Sequence, residues 1–77
     1  SPINNESTVS YSMSIGGEVA LNLYDMMGRL VQTVDNGNRA AGAHAATINS
    51  NGLSSGMYQL VLKVGSETTT RLVQIVK

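Results

Sequence analysis

Period-two alternation, cut at short intervals by glycine, is the pattern that most narrows what this chain can fold into. Across residues 8–15, Val9, Tyr11, Met13 and Ile15 share one face of an extended chain; Thr8, Ser10, Ser12 and Ser14 share the other. Successive side chains of a strand point to opposite faces, so this reads as a half-buried strand with a hydroxyl-lined outer face. Gly16 and Gly17 permit a turn. Residues 18–25 resume the pattern, with Val19, Leu21 and Leu23 inward and Asn22 outward.

The stretch "DMMGR" then reads as a hairpin connection. Asp25 can accept backbone N–H groups as the first turn residue, and Gly28 can take the left-handed conformation that closes a type I turn with a G1 bulge. A continuous helix over residues 19–34 is disfavoured by Gly28 in its middle and by the density of β-branched residues. Beyond the hairpin, "RLVQTVD" is the return strand, with imperfect alternation across Leu30, Val31 and Val34, and "NGNRAAGA" reads as a loop. "HAATIN" places His44, Ala46 and Ile48 on one face, and "SNGLSSG" is a second loop. "MYQLVLKV" turns Tyr58, Leu60, Leu62 and Val64 inward, "GSE" is a turn, and "TTTRLVQIVK" is the terminal strand. Strands at such spacing, joined by glycine-rich turns, describe an all-β, Ig-like or fibronectin-like antiparallel β-sandwich. Six strands are clear, and residues 2–5 could add a short seventh.

Seventy-seven residues make a single domain, 1–77, near the lower limit of what folds alone. A core of this size supplies only ~3–5 kcal/mol unless something staples it. The chain has no cysteine, hence no disulfide. Its composition is 42% hydrophobic and only 13% charged. Ser, Thr, Asn, Gln and Gly must therefore cover much of the surface, as in secreted β-proteins. A formal net charge of zero argues against nucleic acid, whose partners carry a basic footprint. No apolar run approaches the ~18–20 residues of a membrane span. The opening "SPINNES" lacks an initiator Met, which suggests a segment of a longer protein.

Catalytic chemistry is hard to find. The acids Glu6, Glu18, Asp25, Asp35 and Glu67 fall in or beside predicted turns and strand ends, as solvated residues. No two have the spacing of a general acid/base pair. His44 has neither a cysteine nor a second histidine with which to hold a metal or activate a nucleophile, and reads as a strand-face residue packed under the "GAH" turn. The glycines around Ser54 and Ser55 lack the helix N-terminus that a phosphate cradle needs. No enzyme activity, cofactor, metal or small-molecule substrate is expected. A carbohydrate-binding sandwich would need exposed aromatic platforms, and of the three tyrosines only Tyr24 is placed to serve as one.

The order of "SP", "VSYSM", "VALNLYDMMGR", "AAGAH", "LSSGMYQLVLKVG" and "LVQIVK" resembles the type A C-terminal sorting domain of the type IX secretion system, found on exported Bacteroidota proteins. The resemblance spans essentially the whole chain. Its most specific parts are L-Y-D-x-x-G-R, from Leu23 to Arg29, and L-x-S-G-x-Y, from Leu53 to Tyr58. The chain departs from the family pattern in opening with "SP" rather than "NP", in Ile48 where an aromatic is frequent, and in Gln74 within the terminal strand. A looser likeness to the Ig-like domain of flagellar hook-capping proteins concerns the fold alone.

The resemblance implies an address label. Such domains sit behind an N-terminal passenger and are recognised in the periplasm by translocon and outer-membrane shuttle components. They cross the outer membrane to the cell surface or medium, and several are removed by a sortase. Gly56 and Tyr58 match the family's penultimate-strand motif, and Lys77 its frequent terminal lysine. Gly56 is expected at positive φ or a close approach, and Tyr58 as a core anchor with its hydroxyl bonded at the rim. Asp25, Gly28 and Arg29 are hairpin architecture. The tail Val73, Gln74, Ile75, Val76 and Lys77 is the expected recognition segment. Such a strand, placed at a sheet edge, would offer unpaired N–H and C=O groups to a receptor or to a second copy. The alternatives are a passive Ig-like or fibronectin-like spacer and a carbohydrate-binding module.

Overall fold

Seven strands and no helix make up the computed structural model, which describes residues 2–3 and 6–76. They are β1 (Pro2–Ile3), β2 (Glu6–Met13), β3 (Gly17–Asp25), β4 (Leu30–Arg39), β5 (Gly42–Asn49), β6 (Gly56–Val64) and β7 (Glu67–Ile75). One sheet has the order β1-β7-β6-β3-β4, and β2 pairs with β5 in the second. The alternating side chains of both sheets meet in one core: Val9, Tyr11 and Met13 of β2 and Ile48 of β5 against Val19, Leu21, Leu23, Tyr58, Leu60, Val73 and Ile75. Two sheets facing each other over interdigitated apolar faces form the expected β-sandwich.

The six longer strands pair antiparallel, as expected for hairpin-connected elements. The lead strand differs. β1 runs parallel to β7, with Pro2 opposite Gln74 and Ile3 opposite Ile75. β7 is therefore one strand in from the edge at its C-terminal end, instead of being the edge throughout. Among the described residues, no strand pairs with the part of β7 before Gln74 on the side away from β6.

Two segments depart from the sequence expectation for reasons of pairing. The "NGNR" part of the expected loop continues β4, because the whole first half of β3 pairs with it, from Gly17 opposite Arg39 to Leu21 opposite Asp35. Backbone hydrogen bonds to a neighbouring strand outweigh loop-like composition. Ile15, expected inward, is 76% exposed. β2 stops at Met13, and a bend at Ser14 and Ile15 takes the chain out of the sheet before Gly17 starts β3. The imperfect alternation of β4 is a pairing irregularity: the register shifts between Leu21 and Asn22 and again between Leu23 and Tyr24.

The smaller sheet does not cover all of the larger one. Glu67, Thr69 and Arg71 stand opposite Val64, Leu62 and Leu60, and so share the inner face with them, yet all three are exposed. Val73 and Ile75, on the same face further along, are buried. The sequence of β7 follows this division, polar over Glu67–Arg71 and apolar over the inward positions beyond.

Candidate recognition surface

The hairpin between β3 and β4 is organised by one carboxylate. Asp25 Oδ1 accepts the backbone N–H of Met27 and of Arg29, each at 2.9 Å, while Oδ2 meets Arg29 Nε at 2.8 Å. The Gly28 N–H donates to the Asp25 carbonyl at 3.1 Å, and the Asp25 N–H donates to the Arg29 carbonyl at 2.9 Å. Gly28 takes φ +84° between them. This is a type I turn closed by a G1 bulge. The Arg29 N–H is the chief reason that the Asp25 carboxyl is held below the usual carboxylate range.

The loop before β6 is anchored similarly. Tyr58 is buried, and its hydroxyl donates to the Ser54 carbonyl at 2.7 Å. Gly56 enters β6 at φ +153° with open space where a Cβ would stand, so backbone conformation and not close approach selects glycine there.

Those two elements frame the end of the sheet where the tail emerges. In β7, Val73 is 5% exposed and Ile75 is 1% exposed, whereas Gln74, and Val76 just beyond the strand, are exposed. The tail thus presents one face to the core and one to solvent. Lys77 lies outside the described residues.

Along the outer face, Leu30 stands opposite Tyr24, Tyr24 opposite Gln59, and Gln59 opposite Leu72, making a row across four strands. Met57, next along this face, stands opposite Gln74. Met26 and Met27 project from the hairpin at the same end. Among the described residues, every exposed large apolar side chain except Ile15 belongs to this end: Met26, Met27, Leu30, Met57, Leu72 and Val76. Solvent-exposed apolar residues clustered in this way make this end the candidate interaction surface, and methionine adapts to partners of varied shape. The sequence had shown the tail; the companions Leu30, Met57 and Leu72 needed the strand register to be found.

The most elaborate polar cluster lies elsewhere. The Tyr11 hydroxyl of β2 donates to Asp35 Oδ2 of β4 at 2.7 Å. Arg39 Nη2 reaches Asp35 Oδ1 at 2.5 Å. Asp35 is therefore not a solvated turn residue but a half-buried link between the sheets. The Arg39 guanidinium, and then the Tyr11 hydroxyl, hold its carboxyl below the usual range. Burial, and then the neighbouring carboxylate, push the Tyr11 hydroxyl up. His44 packs its ring 5.5 Å from that of Tyr11, and its Nε2 lies 2.7 Å from the Ala40 carbonyl. Nearby, the Gln32 amide both donates to the Asn49 carbonyl at 2.6 Å and accepts from the Asn49 N–H at 2.9 Å. A side-chain amide here completes the backbone bonding of a strand end, a role that no spacing in the sequence announces. These contacts hold the two sheets together.

A cleft of about 460 Å³ opens between the β2–β3 and β6–β7 turns, walled by Met13, Ile15, Glu18, Val64, Ser66 and Glu67. Among the described residues, no three His, Cys, Asp or Glu side chains gather to hold a metal.

Comparison with protein families supplies the context. The model of the family described as "Secretion system C-terminal sorting domain" matches residues 1–77. Neither a curated protein nor a solved structure matches the chain.

Proposed function

This chain belongs to the family of C-terminal sorting domains of the type IX secretion system, and we propose that it is read through the outer face of β7 and the apolar side chains beside it. Family membership implies export of an attached N-terminal passenger across the outer membrane. The observation that supports the finer reading is the division of the tail. Val73 and Ile75 are committed to the core, so among the described residues of the tail those open to a receptor are Gln74 and Val76, with their outer-face neighbours Leu72, Met57 and Leu30.

In this reading the domain is an address and not a catalyst. It folds in the periplasm, where translocon and shuttle components bind its outer face. A surface sortase then separates it from the passenger. Folding and recognition use opposite faces of one strand, so a receptor can require the tail without unfolding the domain.

The test is a fluorescent passenger fused ahead of the chain and expressed in a type IX-competent bacterium and in its translocon-deficient mutant. Export confined to the competent strain is expected. Export persisting in the mutant would favour a passive spacer. Retention on immobilised polysaccharide that is lost on Tyr24→Ala would favour a carbohydrate-binding module.

A further inference from the structure

We propose that two copies of this domain associate edge to edge through β7, antiparallel and centred on Thr69. A two-residue turn joins the paired residues Val64 and Glu67. In the alternation that such a turn sets, Glu67, Thr69 and Arg71 aim their N–H and C=O groups at β6. Thr68, Thr70 and Leu72 aim theirs away from it. β1 meets β7 only at Gln74 and Ile75, so no described strand pairs with the outward groups of Thr68, Thr70 and Leu72. Native edges are blunted by lysine, proline, a bulge or inward-pointing charge. This one carries three successive threonines, which favour strands, between two inward charges of opposite sign, Glu67 and Arg71.

Charge complementarity identifies the occupant as a second copy. The segment reads Glu67-Thr68-Thr69-Thr70-Arg71. Laid antiparallel on itself about Thr69, it sets Glu67 opposite the second copy's Arg71 and Arg71 opposite its Glu67. Thr68 and Thr70 then face each other across the axis, each pair exchanging two N–H···O=C bonds. Directly opposed residues share a face, and Glu67 and Arg71 both lie on the inner face of β7, where the second sheet leaves them exposed. Opposite charges directly across a strand pair stabilise it, and like charges oppose it. Neighbouring symmetric registers, centred on Thr68 or Thr70, leave both charges unmatched. A twofold contact of this kind closes on itself and gives a dimer, not a filament. The two five-stranded sheets would join into one, with their apolar outer faces still open.

The experiment is sedimentation equilibrium of the 77-residue chain over micromolar to millimolar concentrations, with Glu67→Arg, Arg71→Glu and the double charge swap beside it. Both side chains are exposed, so the thermal melts of all four proteins should coincide at dilutions where each is monomeric. The wild-type chain is expected to dimerise. Each single reversal should weaken the dimer about tenfold, since two like-charge contacts replace two attractive ones. The double swap should restore it. Thr70→Pro, which deletes an N–H aimed at the open edge, should abolish association in a domain that still folds. A chain monomeric at every concentration would overturn the proposal. So would a dimer indifferent to both reversals, or one lost instead on Leu30→Ser, which would put the contact on the apolar outer face.

Discussion

The Tyr11 hydroxyl donates to the Asp35 carboxylate at 2.7 Å, and this bond joins the two-stranded sheet to the last strand of the five-stranded one. Arg39 holds the same carboxylate from the other side. In a domain with only ~3–5 kcal/mol in hand, a single half-buried bond to a charged acceptor is a noticeable share. Tyr11→Phe keeps the ring against His44 and removes only the donor. It should lower stability by about 1 kcal/mol, read from urea unfolding. No change in the midpoint would show that the sheets are held by apolar contact alone.

Acid should weaken the fold through the same residue. The Asp35 carboxyl titrates below its ordinary value of 3.8 in the folded chain. Its stabilising contribution is therefore complete above that ordinary value and is lost as the pH falls through the depressed folded one. Asp25, held down chiefly by the Arg29 N–H, acts in the same direction. Melting temperature should fall steeply below about pH 4 in the wild-type chain. Asp35→Asn should begin less stable at neutral pH and flatten that slope. A slope unaltered by the substitution would assign acid sensitivity to other groups.

Gly28 supplies the third prediction. It sits at φ +84° with nothing within 4 Å of an added Cβ, so backbone strain is the main penalty for substitution. Gly28→Val should cost roughly 1–3 kcal/mol. Gly28→Asn, which tolerates the left-handed region, should cost less. Circular dichroism melts of both decide it, and equal losses would locate the defect in lost contacts and not in φ.

The last prediction separates the two faces of the tail. Ile75→Ala leaves a cavity beneath β7 and should cost about 2–5 kcal/mol, enough to unfold much of the population. Val76→Asp changes an exposed side chain and should move stability by no more than about 0.5 kcal/mol. Export of a fused passenger is expected to fail in both, but only the second failure would come from a folded domain. Normal export of the Val76→Asp fusion would remove the outer face from the recognition reading.

What the sequence determined by itself was local. Alternation at Val9, Tyr11 and Met13, and again at Val19, Leu21 and Leu23, reports the pleat directly, because a strand's side-chain period is two wherever one face is buried. The turn at Asp25 was legible for a similar reason: a short carboxylate two residues ahead of a free N–H, and a glycine where φ must be positive, are neighbours in the chain. The family resemblance rested on the same short segments. Tertiary structure alone decided the rest. That β1 runs parallel to β7 and covers Gln74 and Ile75 depends on a pairing across most of the chain, which composition does not encode. Asp35 read as a solvated acid until Tyr11, 24 residues away, was brought to it. Gln32 had no reading at all until its amide met the end of β5. Ile15 fitted the period but left the strand, because β2 ends at Met13 and a bend carries Ile15 out of the sheet. Periodicity tells which face of a strand is apolar, and only the packed sheets tell how far that face is covered.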